Sequence, residues 1–262
     1  MDELILKIIL SFIAGGVWIT FSVVLAEKLG NKIGAILIAL PTTMLVSLFF
    51  IGWTASPGFA AETARIIPFA MIANSIYIFS LILFLKKYGN LAFLISFAIW
   101  ITAALLLKMV NGVDMIIGVL ADIAITALLF YIAEKRMNIR SADGARGEYP
   151  IAELFARAAF AGGVVALSVI VANFAGPVWG GIFATFPAAT LSSMYILNKK
   201  RGPDFAMATC KAMLPATMTI IVYVIAVHAA YPDYGLIIGT VISYAASILS
   251  GVLIYIFTKR MK

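Results

Sequence analysis

GAILIALPTTMLVS, residues 34–47, is written a second time as GGIFATFPAATLSS, residues 180–193. Gly34, Ile36, Pro41, Leu45 and Ser47 recur as Gly180, Ile182, Pro187, Leu191 and Ser193, each 146 residues later. Both copies are apolar runs with a proline near the centre and hydroxyls just after it. The register continues through Phe59/Phe205, Ala60/Ala206, Thr63/Thr209 and the cations Arg65/Lys211. With one extra residue, Ala14-Gly15-Gly16 matches Ala161-Gly162-Gly163, and Pro68 matches Pro215. Self-similarity over such a distance marks a duplicated half.

The 262 residues are 63% hydrophobic and 12% charged, whereas a soluble domain carries about 25% charged residues. So much apolar surface does not fit inside one globular core, and the chain reads as an all-α integral membrane protein. The formal charge of +7 then reflects the loop bias of membrane proteins rather than nucleic-acid binding. A single cysteine, Cys210, leaves no intrachain disulfide framework and no cysteine-based zinc site. The acidic start, MDEL, lacks a basic n-region and reads as the beginning of a first helix rather than a cleaved signal.

A helix needs about 20 apolar residues to cross a bilayer. Nine segments qualify, at roughly 4–26, 33–52, 65–85, 90–108, 113–133, 153–173, 178–197, 207–229 and 235–258. One long polar connection, 134–152, falls between the two copies. With nine spans, one side of the membrane holds only Lys7, Arg65 and Lys108 of the 19 cations. That bias puts the other side in the cytoplasm, with the N-terminus outside and the C-terminus cytoplasmic. The expected organisation is a first repeat (1–112, four helices), a linking helix (113–133), a cytoplasmic loop (134–152) and a second repeat (153–262, four helices). Because the linking helix is a single span, the two four-helix repeats are inverted relative to one another (4+1+4), an arrangement common in alternating-access transporters.

The candidate solute or ion pathway follows from rarity and placement. Pro41 and Pro187 sit near span centres, where proline frees a carbonyl that must be satisfied inside protein or along a cavity. Thr42, Thr43 and Ser47 follow the first break; Thr190 and Ser193 follow the second. The competing reading is a pair of kinks satisfied by local hydroxyls. Asp122 lies in the middle of the linking helix, where a carboxylate costs about 2.5–3.5 kcal/mol to insert. It is a candidate for proton or sodium coupling; the alternative is a protonated, hydrogen-bonded structural aspartate. Asn74 and Ser75 lie deeper in the third span and are expected to line one cavity with Arg65; the competing reading for the asparagine is interhelical glue. Arg65 and Lys211 form a candidate anion vestibule, weighed against snorkelling to the interface. Gly235, Gly239, Ser243, Ser247 and Gly251 recur every four residues, a ridge for close packing within the bundle or between protomers. His228, the only histidine, stands alone, whereas a metal needs several converging ligands.

The runs around Pro41 and Pro187, followed by ETARIIPF and ATCKAMLP, resemble the GlpM family of small four-helix bacterial membrane proteins. The resemblance is clearest over 34–86 and 176–257 and implies two GlpM-like units joined through the linking helix. It also implies a link to envelope polysaccharide production without specifying an activity. Zinc-protease, phosphate-loop, nucleophile-elbow and dinucleotide motifs are absent, so neither an enzyme nor a cofactor is expected. The expected function is a multi-pass carrier for an unidentified small solute in the cytoplasmic membrane. The alternatives are a non-transporting scaffold of an envelope system and a passive channel. The expected partners are the lipid bilayer, the solute, and a second copy or an envelope protein.

Overall fold

The computed structural model describes residues 2–29, 40–108, 114–135, 137, 139 and 151–259. Residues 33–39 of the span expected over 33–52 and most of the expected loop 134–152 lie outside the described residues. The regular elements are all helical: α1 (Asp2–Leu29), α2 (Thr42–Thr54), α3 (Pro57–Tyr88), α4 (Leu91–Lys108), α5 (Met115–Lys135), α6 (Ile151–Ala175), α7 (Pro177–Ala184), α8 (Ala188–Arg201), α9 (Pro203–Ala216) and α10 (Met218–Lys259). Six stretches of described helix are long and apolar enough to cross a membrane. Their outward faces carry large apolar side chains, such as Leu83, Ile116, Phe174 and Ile237, while Asp122, Arg157 and Ser247 are buried. Apolar outside and polar inside fits a multi-pass membrane protein.

α3 is the central post. Of its apolar window 78% is buried, against 22% for α5, and α2, α4, α5, α7, α9 and α10 all pack on it. It begins eight residues before the expected start at 65. Ser56 caps it by accepting a hydrogen bond from the Phe59 N–H (3.1 Å), and Pro57 occupies the first turn, where its missing N–H costs nothing. Glu62, which hydropathy leaves in a loop, and Arg65, at the expected start, pair at 2.8 Å along the helix, so the helix runs straight through them. α9 likewise starts earlier than expected, with Pro203 in its first turn after Gly202.

α1 and α6 meet where a side chain would not fit. A Cβ on Gly16 would stand 2.6 Å from the Ala158 carbonyl oxygen, and one on Gly162 would strike the Phe12 carbonyl oxygen. Position 12 thus faces 162 and position 16 faces 158, so the two helices run in opposite directions at the crossing.

α10 is two helices folded back on each other at Gly235, whose backbone (φ 70°, ψ −175°) is non-helical. Tyr231 donates to or accepts from Thr240 at 2.8 Å, and Ser247 donates to the Thr219 carbonyl at 2.9 Å. A Cβ on Gly239 would meet the Tyr231 ring at 2.7 Å. The small-residue ridge of 235–251 therefore packs inside the bundle, against the first arm of its own hairpin. Gly89, with φ 53°, turns α3 into α4 146 residues earlier. Because φ 70° with ψ −175° is accessible essentially to glycine alone, Gly235→Ala costs about 1–3 kcal/mol. We expect a clear drop in thermal midpoint for purified Gly235→Ala. Gly163→Ala, where a Cβ would meet nothing within 4 Å, is the neutral comparison.

Contacts separate the two ends of α3. At its start, Lys7 donates to the Trp53 carbonyl (3.2 Å), Asn173 donates to Thr54 Oγ1 (2.8 Å), and His228 Nδ1 lies 3.0 Å from the Ala61 carbonyl. At the other end, Lys86 pairs with Asp204 at 3.0 Å, Lys200 with Glu153 at 3.3 Å and Lys211 with Glu134 at 2.9 Å.

Candidate functional site

α5 turns a narrow stripe inward. Gly118, Asp122 and Thr126 are buried at four-residue spacing, whereas Ile116, Ile117, Leu120, Ile123 and Leu128 are exposed. Gly118 lets α5 close on α3: a Cβ there would stand 3.2 Å from the Phe69 backbone nitrogen and 3.5 Å from Pro68. One turn on, Asp122 is 0% exposed and faces two hydroxyls. Thr126 Oγ1 donates towards Asp122 Oδ1 at 3.4 Å, and Ser75 Oγ lies 2.7 Å from Thr126 Oγ1. Among the described residues no salt bridge reaches Asp122, and its Oδ2, buried, has no hydrogen-bond partner. Such a carboxyl changes its electrostatic state at large cost unless a proton or cation accompanies the change. Asn74 donates to Met71 Sδ at 4.0 Å; its neighbour Ser75 is the one that reaches the α5 stripe.

The two prolines make the same device. Pro41 (φ −73°, ψ 45°) and Pro187 (φ −77°, ψ 46°) each centre a tight turn. The N–H of Thr42 donates to the Leu40 carbonyl, and that of Ala188 to the Phe186 carbonyl, both at 2.7 Å, the hydrogen bond of an inverse γ-turn. A new helix starts at once: Leu45 N–H to the Pro41 carbonyl and Leu191 N–H to the Pro187 carbonyl, again both 2.7 Å. α7 and α8 are thus two halves of one discontinuous helix, and α2 begins in the same way. Phe186 packs edge-on against the stacked pair Phe97 and Trp100, with ring centroids 5.4 Å away from each. Thr42, Thr43, Ser47, Thr190 and Ser193 are all buried. Ser47 Oγ and Ser193 Oγ, 146 positions apart, both lack a hydrogen-bond partner among the described residues. α2 packs against α7, so the half-helix after Pro41 lies beside the half-helix before Pro187.

The breaks and Asp122 lie against different helices. α3 packs against α5 on one side and against α2 and α7 on others, and it stands between them. Asp122 belongs to the α3–α5 seam; the paired breaks belong to the start of α2 and the α7–α8 junction.

Arg65 and Lys211 already hold carboxylates. Arg65 Nε donates to Glu62 at 2.8 Å, and the half-exposed pair lies on the α3 surface. Lys211, 14% exposed, pairs with Glu134 at 2.9 Å and also donates to the Ile139 carbonyl. No group of three or more histidine, cysteine, aspartate or glutamate side chains converges among the described residues.

Two residues of interest escaped the sequence reading. Thr126 carried a usable signal, since it follows Asp122 by one helical turn. Arg157 counted only as a cytoplasmic cation, yet it is 3% exposed and lies 3.8 Å from Glu153 one turn earlier.

Residues 154–260 match the model of a family described as a protein of unknown function (DUF3147). The matched segment runs from the first turn of α6 to the end of α10, and the match names neither GlpM nor a duplication. No curated protein matches the chain, and no solved structure does.

Proposed function

We propose that this protein is a carrier for a small solute in the cytoplasmic membrane, coupled to protons or sodium through Asp122. The observation that carries the reading is the carboxyl itself. It is fully buried on an otherwise lipid-facing helix, with two hydroxyls and no cation among the described residues. Intramembrane carboxyls of that kind usually serve an ion or substrate path.

The architecture we propose is nine spans in two inverted four-helix repeats joined by α5. Three findings support it. Paired backbone devices keep a 146-residue register at Pro41/Pro187, Pro57/Pro203 and Gly89/Gly235. The first helices of the two units, α1 and α6, cross in opposite directions. Lys86, Lys200 and Lys211 gather at one end, which fits a cytoplasmic face. In this reading the paired breaks, with Ser47 and Ser193, form the solute site, and Asp122 acts across α3.

The separation of Asp122 from the breaks favours the second reading, a non-transporting scaffold in which Asp122 only seals the α3–α5 seam. It disfavours a passive channel, which needs a continuous polar lining. Single cysteines at Ser47 and Ser193, in a Cys210→Ser background, distinguish these. Membrane-impermeant thiol reagents should label each position from either side of a sealed vesicle, with side preference shifting as the ion gradient is reversed. A channel gives simultaneous labelling from both sides. Complete protection under every gradient sinks the carrier reading.

A further inference from the structure

The half-helices that follow the two prolines each wall a groove open to the bilayer. One lies between α1 and α2, with a volume of about 460 Å³; the other lies between α6 and α8, with about 370 Å³. They occupy the same place in the 146-residue register: Leu45, Val46 and Phe49 line the first, and Leu191, Ser192 and Tyr195 line the second. Their chemistry differs. The first is apolar throughout. The second carries Arg157 and Glu153 at its α6 wall.

Arg157 stands six residues after the start of α6, about 9 Å along the axis, close to one end of an apolar helix. Its side chain is 2% exposed, and Glu153 lies 3.8 Å from it. The same carboxylate is shared with Lys200 at 3.3 Å, so these three groups carry a net positive charge. Lys200 belongs to the last turn of α8, together with Lys199 and Arg201. The rest of the groove is apolar, with Phe160 and Tyr195 exposed along its mouth.

We propose that the α6–α8 groove binds one anionic phospholipid, with its phosphate at Arg157 and Lys200 and one acyl chain along Phe160, Leu191 and Tyr195. A guanidinium matches phosphate geometry through paired N–H donors. The apolar trough below it suits a chain rather than a free ion. The α1–α2 groove accepts chains without headgroup preference, because no cation lines it.

Native mass spectrometry of the detergent-purified full chain tests the site, with phosphatidylglycerol and phosphatidylcholine of identical chains as probes. Wild type should retain one phosphatidylglycerol per chain in preference to phosphatidylcholine. Arg157→Leu should lower that preference by about tenfold, the loss of one strong charge-assisted contact, and Arg157→Lys should restore part of it. Ser192→Phe fills the groove and leaves the charges in place; it should lower retention of both lipids. Millimolar inorganic phosphate should displace neither. Equal retention of the two lipids by wild type overturns the proposal, as does displacement by phosphate. An unchanged phosphatidylglycerol preference in folded Arg157→Leu also overturns it. If Arg157→Leu is not recovered folded, Ser192→Phe decides: full retention there overturns the proposal. These readouts involve no transport, so they stand or fall separately from the carrier reading.

Discussion

Gly162→Leu prevents recovery of folded protein, whereas Gly163→Leu, the next residue, is recovered normally. The two glycines look alike in sequence. At Gly162 any Cβ strikes the Phe12 backbone carbonyl, but at Gly163 nothing lies within 4 Å. A flexible side chain can move aside; a helix backbone cannot without shifting the whole element. On the other side of the same crossing, a Cβ on Gly16 would stand 2.6 Å from the Ala158 backbone and one on Gly15 2.7 Å from the Val165 side chain. Close backbone approach through small residues is what holds helices together in lipid, where hydrophobic burial gives little net drive. Overpacking a tight site costs about 1–3 kcal/mol even when neighbours relax, so Gly162→Ala should lower the thermal midpoint measurably. A leucine should separate α1 from α6. Fluorescence-detected size exclusion after detergent extraction reads both: an aggregate peak for Gly162→Leu and a monodisperse peak for Gly163→Leu. Equal peaks would mean that the α1–α6 crossing does not organise the bundle.

Asp122→Asn leaves the protein folded and removes ion-driven accumulation of solute. The amide keeps the size of the side chain, and its oxygen can still accept the Thr126 hydroxyl. It cannot take up a proton or balance a cation. If Asp122 couples solute to an ion, the variant retains solute exchange down a gradient and loses accumulation against one. If Asp122 only seals the seam between α3 and α5, Asn should serve nearly as well and no function should change. Ser75→Ala and Thr126→Ala should shift the ion dependence without abolishing transport, because each removes one hydroxyl from the same cluster.

Much of the bundle was legible because backbone chemistry forces it. Prolines within apolar runs dictate the breaks at Pro41 and Pro187, and four-residue spacing of small residues dictates the seam of the α10 hairpin. Pro57 and Pro203 were equally readable as first-turn prolines, but charged residues nearby suggested that the helices began later. Glu62 and Arg65 satisfy each other on the helix surface, which composition alone does not reveal. The site was less legible. That Asp122 faces inward follows from its α5 stripe, and Thr126 follows from helical spacing. Which residue of α3 meets it depends on the rotation of one helix against another, so the meeting of Ser75 with the Asp122 stripe is a result of packing. The intervening position of α3 between Asp122 and the paired breaks is a fact of tertiary arrangement. Arg157 was hidden for a similar reason: six residues into α6, it lies on whichever face the crossing with α1 leaves towards α8.

The most direct measurement is proton and sodium movement in proteoliposomes of the purified full-length protein containing an internal pH dye. Imposed pH and sodium gradients are combined with a panel of small anions and neutral solutes, for wild type and Asp122→Asn side by side. The carrier account predicts that at least one solute gives a dye response or a sodium-dependent uptake in wild type, and that this response is absent in the variant. Contradiction would be folded wild type that moves nothing above empty liposomes across the panel, or a wild-type response that Asp122→Asn reproduces unchanged.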